Sequence, residues 1–248
     1  MELPVARKRI TNDVKLKPLV AWRAIRKLFA DPDDTGQVFI IISALSGSGF
    51  ERLFRRVESD EVGGRVITRH PEALLEVLRD RQMLAGLPEG SLGRAYLDFV
   101  KTEQLSADGL SQASEQRAQV INFIDPRAET LSTRLRDMHD LWHVVTGYGR
   151  DLVGEDALLA FTWAQTRNRG IRLIVFLATL KSLQMRHFWV PAVVRRGRRS
   201  GLEAGLLPAQ DWEALLTQPL TEVRQQLGVE VAPEYRPVWS DDAVAVRA

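Results

Sequence analysis

Apolar residues recur at steps of three and four along most of this chain, and runs that alternate apolar with polar are scarce. Side chains three or four apart share one face of a helix, whereas a half-buried strand needs a period of two. The pattern therefore points to helices packed on helices, an all-α fold. Leu19, Trp22, Ile25 and Phe29 form one such stripe before Asp31-Pro32-Asp33-Asp34 breaks it. A second apolar segment runs from Gln37 to Leu45, and Gly47-Ser48-Gly49 separates it from an amphipathic stretch at Phe50, Leu53 and Val57. Pro71 opens a helix with Leu74, Leu75 and Leu78 on its face, since proline is tolerated in a first turn. Leu87 to Ser91 reads as a turn and cap before Leu92 to Val100. One helix is expected over about Glu129 to Val145, another from near Gly154 and a long apolar one from Ile171. Pro208 and Pro219 introduce two more, and Gly228 fits the position just past the last.

No Pro/Ser-rich linker divides the chain, so residues 15–229 are expected to form a single compact multi-helix domain, with a flexible N-terminus over 1–14 and a loose tail over 230–248. Residues 103–120 are polar and take no assignment. The 248 residues are 45% apolar, enough for a sizeable core. A net charge of +2 is too small to suggest a nucleic-acid partner. The absence of cysteine excludes disulfides, thiolate metal sites and a Cys nucleophile, so any metal must be held by His and carboxylates. The longest apolar charge-free segments, Val38–Leu45 and Leu173–Leu180, fall far short of the roughly 20 residues of a spanning helix. No apolar run follows Arg7, Lys8 and Arg9, so no secretory signal is expected.

One constellation carries chemistry. Leu131, Leu135, Met138, Trp142 and Val145 step by four and three as a core stripe, and His139, Asp140 and His143 fall on its flank within an arc of roughly 100°. Histidines four apart stack one helical turn above another, a spacing that lets two imidazoles meet one metal. Glu155 lies twelve residues beyond His143, across the turn Thr146-Gly147-Tyr148-Gly149. A helix folding back there brings its first turn beside the pair, placing a metal site between two consecutive helices. Two imidazoles and two carboxylates suit a divalent first-row ion, zinc foremost. Spacing alone is a weak signal: with four His in the chain, such a pair arises by chance in about one sequence in sixteen. Two core-flanking histidines satisfied by hydrogen bonds account equally well for it. A zincin needs Glu, not Asp140, after the first His; a His-Asp phosphohydrolase would have to recruit His70 and Asp156 at an unconvincing spacing.

His139-Asp140-Leu141-Trp142-His143 followed by Gly154-Glu155 resembles the signature of the coenzyme Q (ubiquinone) biosynthesis protein 4 family. Leu87-Pro88-Glu89-Gly90-Ser91-Leu92-Gly93-Arg94-Ala95-Tyr96 is similar to the pattern preceding that signature. Phe161 and Ala164-Gln165-Thr166 resemble the stretch after it. Arg195-Arg196-Gly197-Arg198-Arg199, Trp212, Gln218-Pro219-Leu220 and Glu222 resemble the C-terminal part. The likeness covers about Lys15 to Val229; Trp142 and Tyr148 stand where smaller residues are expected.

The resemblance implies an all-α fold, a divalent metal at His139, Asp140, His143 and Glu155, and peripheral membrane association. It also implies a prenylated quinone precursor as substrate, other ubiquinone biosynthesis proteins as partners, and oxidative decarboxylation at ring carbon 1 of a 4-hydroxybenzoate derivative. The rival is a non-catalytic scaffold that presents prenylated precursors to partner enzymes. The expected location is cytoplasmic, at the inner face of the membrane, or the matrix side of an organelle. Leu173, Ile174, Val175, Phe176 and Leu177 with Phe39 to Ile42 are candidates for a prenyl cavity, against plain core packing. Arg195 to Arg199 suits anionic headgroups, or else a solvated turn. Exposed apolar helices would suit a homodimer.

Overall fold

A computed structural model describes residues 10–11, 15–30, 34–103 and 123–239. Among these residues the secondary structure is helical, with two isolated β-bridges, Thr11–Phe123 and Ser91–Pro219, and no strand. The helices are α1 (Pro18–Ala30), α2 (Thr35–Ala44), α3 (Ser48–Glu58), α4 (Glu61–Val66), α5 (Ala73–Arg79), α6 (Arg81–Gly86), α7 (Leu92–Thr102), α8 (Pro126–Asp137), α9 (His139–Thr146), α10 (Leu152–Thr166), α11 (Arg169–Gln184), α12 (Val190–Glu203), α13 (Trp212–Leu215) and α14 (Leu220–Leu227). The all-α expectation holds. No described helix is long and apolar enough to cross a membrane.

Local chemistry explains where the helices begin and end. Asp125 accepts from the Arg127 N–H before α8, with Pro126 in its first turn. Asn168 caps α11 through the Gly170 and Ile171 amides. Helix α14 ends at Gly228, whose φ of 62° lies in the left-handed region that a C-terminal glycine favours. The helix expected over Glu129–Val145 is in fact two, α8 and α9. Met138 between them has ψ −4°, well above the helical value, which opens the turn there. Hydrogen bonds still cross the break, from Met138 N to Arg134 O and from Trp142 N to Met138 O, so the apolar stripe keeps its face. Leu131, Met138, Trp142 and Val145 are all buried.

The main core gathers Met138, Trp142 and Val145 of that stripe with Leu92, Tyr96 and Leu97 of α7, Leu158 and Phe161 of α10, and Trp212 and Leu216, while Leu131 packs with Phe50, Phe54 and Val57 of α3 in a second cluster. A buried ion network closes one side of it. Arg134, fully enclosed, donates to both carboxylate oxygens of Glu213 at 2.6 and 2.7 Å, and Arg69 reaches Glu213 and Asp211. Two stretches expected to be loose also make contacts. Ile10 is buried, and its carbonyl accepts from the Ile124 amide. Residues 232–238 lie against the turn before α10, where the Ala232 amide donates to Thr146 O and Val238 is buried. Tail residues from 240 onward fall outside the described residues, as does most of the polar stretch 103–120.

Helix α10 packs most extensively on α12, and glycines set that distance. A Cβ on Gly197 would stand 2.3 Å from the Ala157 carbonyl oxygen, and one on Gly201 would stand 2.6 Å from that of Phe161. The basic stretch Arg195–Arg199 is thus part of a helix and not a turn: Gly197 faces α10 while the four arginines are exposed. Gly197→Val, which forces backbone apart, is expected to cost about 3 kcal/mol. That corresponds to a fall in melting temperature of about 6–12 °C for a chain of this size. Gly86→Ala, where a Cβ meets nothing within 4 Å, should melt near the parent in the same calorimetric scan.

Candidate metal centre

The site is built by a bend. Helix α9 ends at Gly147, whose φ of 76° turns the chain back. Asp151 then caps α10, accepting from the Val153 and Gly154 amides. Its other carboxylate oxygen accepts a 2.7 Å hydrogen bond from the Tyr235 hydroxyl, and that hydroxyl in turn accepts from the Gly149 amide at 2.9 Å. Gly154 sits inside this clasp, where a Cβ would lie 2.2 Å from Gly149 O and 2.4 Å from the Tyr235 hydroxyl. Any larger residue would open the bend and displace Glu155 next to it.

Glu155, in the first turn of α10, faces both histidines of α9. Its Oε2 lies 3.6 Å from His139 Nε2 and its Oε1 lies 3.4 Å from His143 Nε2. The imidazoles stand nearly perpendicular, with ring centres 4.9 Å apart. Asp140 is buried on the same helix, and it offers an oxygen that lies within 4.8 Å of one nitrogen from each histidine. The structure therefore brings Glu155 to the histidine pair, and separately groups Asp140 with that pair.

His143 is the most constrained member. Its Nδ1 lies 2.9 Å from Tyr148 O, and because a carbonyl can only accept, Nδ1 carries the proton. Its other nitrogen, Nε2, then faces Glu155. That nitrogen is buried and lacks a hydrogen-bond partner among the described residues. A buried nitrogen left unpaired is costly unless something binds it. Phe99 of α7 stacks on the ring at 5.5 Å, with 21° between planes, and shields one of its faces.

Charge is balanced within the group. Burial opposes protonation of His139, yet hydrogen bonding to Glu155 and the nearby carboxylates outweigh it and raise its pKa. Burial likewise opposes ionisation of Glu155, but the two imidazoles hold its carboxyl well below the usual range. Asp156 beside it is pushed up to about 7 by burial and by the Glu155 charge, so at neutral pH Glu155 is the more available anion of the two.

These residues fit a divalent ion by a simple test. Tetrahedral ligands at 2.0–2.1 Å from a zinc-like ion stand about 3.4 Å from one another. The two nitrogen–carboxylate separations, 3.6 and 3.4 Å, lie near that value, each made by a different oxygen of Glu155, and the carbonyl on His143 Nδ1 is the usual outer partner of a ligating imidazole.

The other candidates separate. Ile41, Ile174 and Val175 are buried in side-chain clusters beneath α1 and α12, whereas Phe176 is exposed, so the proposed prenyl-cavity residues do not share one wall. Sequence reading missed Tyr148, Asp151 and Tyr235. Asp151 was within reach, as an Asp three residues before Gly154 is an N-cap signal. Tyr148 acts through its carbonyl and Tyr235 from 84 residues beyond Asp151, so neither has a local signature.

Comparison with known proteins agrees with the motif. The profile of the family described as coenzyme Q (ubiquinone) biosynthesis protein Coq4 matches residues 10–233. The mitochondrial ubiquinone biosynthesis protein COQ4 of Yarrowia lipolytica is 29% identical over 197 residues, 77% of this chain and 71% of that one. Its Aspergillus flavus counterpart is 32% identical over 191 residues, 75% of this chain and 63% of that one. The COQ4 homolog of Rattus norvegicus is 27% identical over 73% of this chain and 65% of its own length. In fold, the chain is similar to the crystal structure of a protein assigned to ubiquinone biosynthesis in Nostoc punctiforme, with a TM-score of 0.59 and 24% identity over 87% of this chain and all of that one. The chain belongs to the coenzyme Q (ubiquinone) biosynthesis protein Coq4 family.

Proposed function

We propose that this Coq4-family chain carries out a metal-dependent decarboxylation at ring carbon 1 of a prenylated 4-hydroxybenzoate-derived precursor, in which carbon dioxide leaves and, in the oxidative form the family resemblance implies, dioxygen is the oxidant and the source of the hydroxyl that takes its place. The observation that supports it most is the buried, unpaired Nε2 of His143 facing Glu155 and His139 across the α9–α10 bend. His139, His143 and Glu155 are the ligands of the reading, and Asp140 is a fourth ligand or orients an imidazole. Zinc suits this nitrogen and oxygen set.

A divalent ion bound there supplies Lewis acidity toward the ring carboxylate or its neighbouring phenolic oxygen. The chain's own groups do the rest. Tyr148 O fixes the His143 tautomer, and Phe99 keeps water from one face of that ring. Arg150, 3.4 Å from Glu155, adds positive charge at the partly exposed mouth that an anionic precursor would approach. Exposed Leu19, Trp22, Phe29, Phe176 and Phe188, with the four arginines of α12, support peripheral contact with a membrane surface. In the same reading the other ubiquinone biosynthesis proteins are its partners, on the matrix side where the cell has mitochondria.

Incubating metal-loaded protein in air with a carboxylated prenyl-hydroxybenzoate tests the reaction. Carbon dioxide release that His139→Ala abolishes is expected; tight binding with no release would favour the presenting scaffold. His143→Ala should lower metal affinity at least about tenfold, since even outer-shell changes cost that much. Metal content equal to the parent by elemental analysis would reject the ligand set.

Protons and metal compete for the same lone pairs, so metal affinity should rise with pH through the imidazole range. The metal-free protein should behave oppositely. The raised His139 pKa stabilises the fold below the unfolded value and is lost as pH rises through the folded one. The depressed Glu155 pKa contributes above the unfolded carboxylate value and is lost as pH falls through its folded one. Stripped of metal, the protein should therefore melt higher at about pH 5.5 than at about pH 8.5. Glu155→Gln should shrink that difference; an unchanged difference would show that the pairing contributes nothing.

A further inference from the structure

A second cavity lies at the other end of α10. It is a half-open hollow of about 480 Å³ between the first turns of α3 and the end of α10, and its wall includes Ser48, Gly49, Thr166 and the exposed Arg52, Arg56 and Arg167. Arg167 follows Glu155 by twelve residues, about 18 Å along a helix, so this space is separate from the metal centre.

Its charge is unbalanced. The wall also carries Glu51 and Arg55, but these face one another at 3.8 Å, and Glu58 meets Arg55 at 2.8 Å. Arg52 donates, among the described residues, to the Ser48 hydroxyl at 2.6 Å, and Arg56 to the Gln165 carbonyl at 2.9 Å. Among the described residues, no carboxylate forms an ion pair with Arg52, Arg56 or Arg167. Arg167 is held with φ 54°, in the left-handed region that a side-chain-bearing residue seldom adopts. Burial first, and then the charge of Arg167 beside it, push the Arg56 guanidinium below its ordinary value.

Three exposed cations gathered around one half-open cavity, with no carboxylate paired to them among the described residues, repel one another modestly through water. An anion among them turns that repulsion into attraction. Guanidinium groups match the oxygens of phosphate in charge and in planar geometry. The positive end of the eleven-residue α3 adds to the same field. We infer that this cavity is an anion site that takes a phosphate-bearing group, with Arg52, Arg56 and Arg167 as its donors. A phosphomonoester or diphosphate carries enough charge to match three guanidiniums, and the space exceeds a bare phosphate, so the group arrives on a carrier. The carrier is a soluble metabolite or a lipid headgroup.

The full chain, metal-loaded and held at constant ionic strength, should be titrated with inorganic pyrophosphate by calorimetry. It should also be sedimented with phosphatidate-containing and with pure phosphatidylcholine vesicles. Saturable binding of pyrophosphate points to a soluble source, and binding of phosphatidate vesicles alone points to a headgroup; either supports the site. Arg56→Gln/Arg167→Gln should weaken that binding at least about tenfold. Arg52→Gln, whose side chain bonds within its own helix, should weaken it in the same direction without risk to folding. Both variants should retain the parent's metal content, which separates this site from the metal centre. No saturable binding to either probe, or parental affinity in both variants, overturns the inference.

Discussion

The capping of α10 by Asp151 is the interaction on which the rest depends. One carboxylate oxygen accepts the Val153, Gly154 and Val238 amides and the other accepts the Tyr235 hydroxyl. That single side chain satisfies the free donors of the helix start and anchors the returning chain. It fixes the angle at which α10 leaves the bend. Glu155, one turn further on, inherits its position from that angle, and so does its separation from His139 and His143. Side chains positioned to within a few tenths of an ångström need such rigid supports.

Helix α10 then acts as a spine. Its first turn faces the histidines, its middle meets the glycines of α12, and its last turn borders the arginine cavity. The close approach at Gly197 and Gly201 keeps that helix from sliding, and the Gln165 side chain locks its end by bonding Gly201 O and the Leu207 amide. A shift at either end must therefore displace backbone against backbone, which dense packing resists.

Much of this was legible in the chain. The three- and four-residue apolar steps gave the helical class, and His139, His143 and Glu155 could be paired because the Gly147–Gly149 turn is short and α9 is regular. Asp140 was included through chemistry and family likeness, and the geometry gathers it with the histidines. The break at Met138 was not legible, since a one-residue change in ψ leaves the apolar period intact. The role of Tyr235 was hidden for a different reason: its partners are far away in sequence, and the stretch around it has no periodicity. The arginine cavity was equally invisible, because Arg52 and Arg56 read as an ordinary solvated helix face until Arg167 folds beside them.

The clasp at Gly154 also orders events in time. Gly149 and Asp151 are held by a hydroxyl that emerges from the ribosome some 84 residues after them, so the bend between α9 and α10 cannot be locked while the chain is still short. Helices α10 to α14 lie between the two ends of that contact, so closing it is a non-local step that carries the loop-closure cost of the intervening chain. The spacing of the two imidazoles and the carboxylate is thus tied to a contact that the chain makes only near its far end.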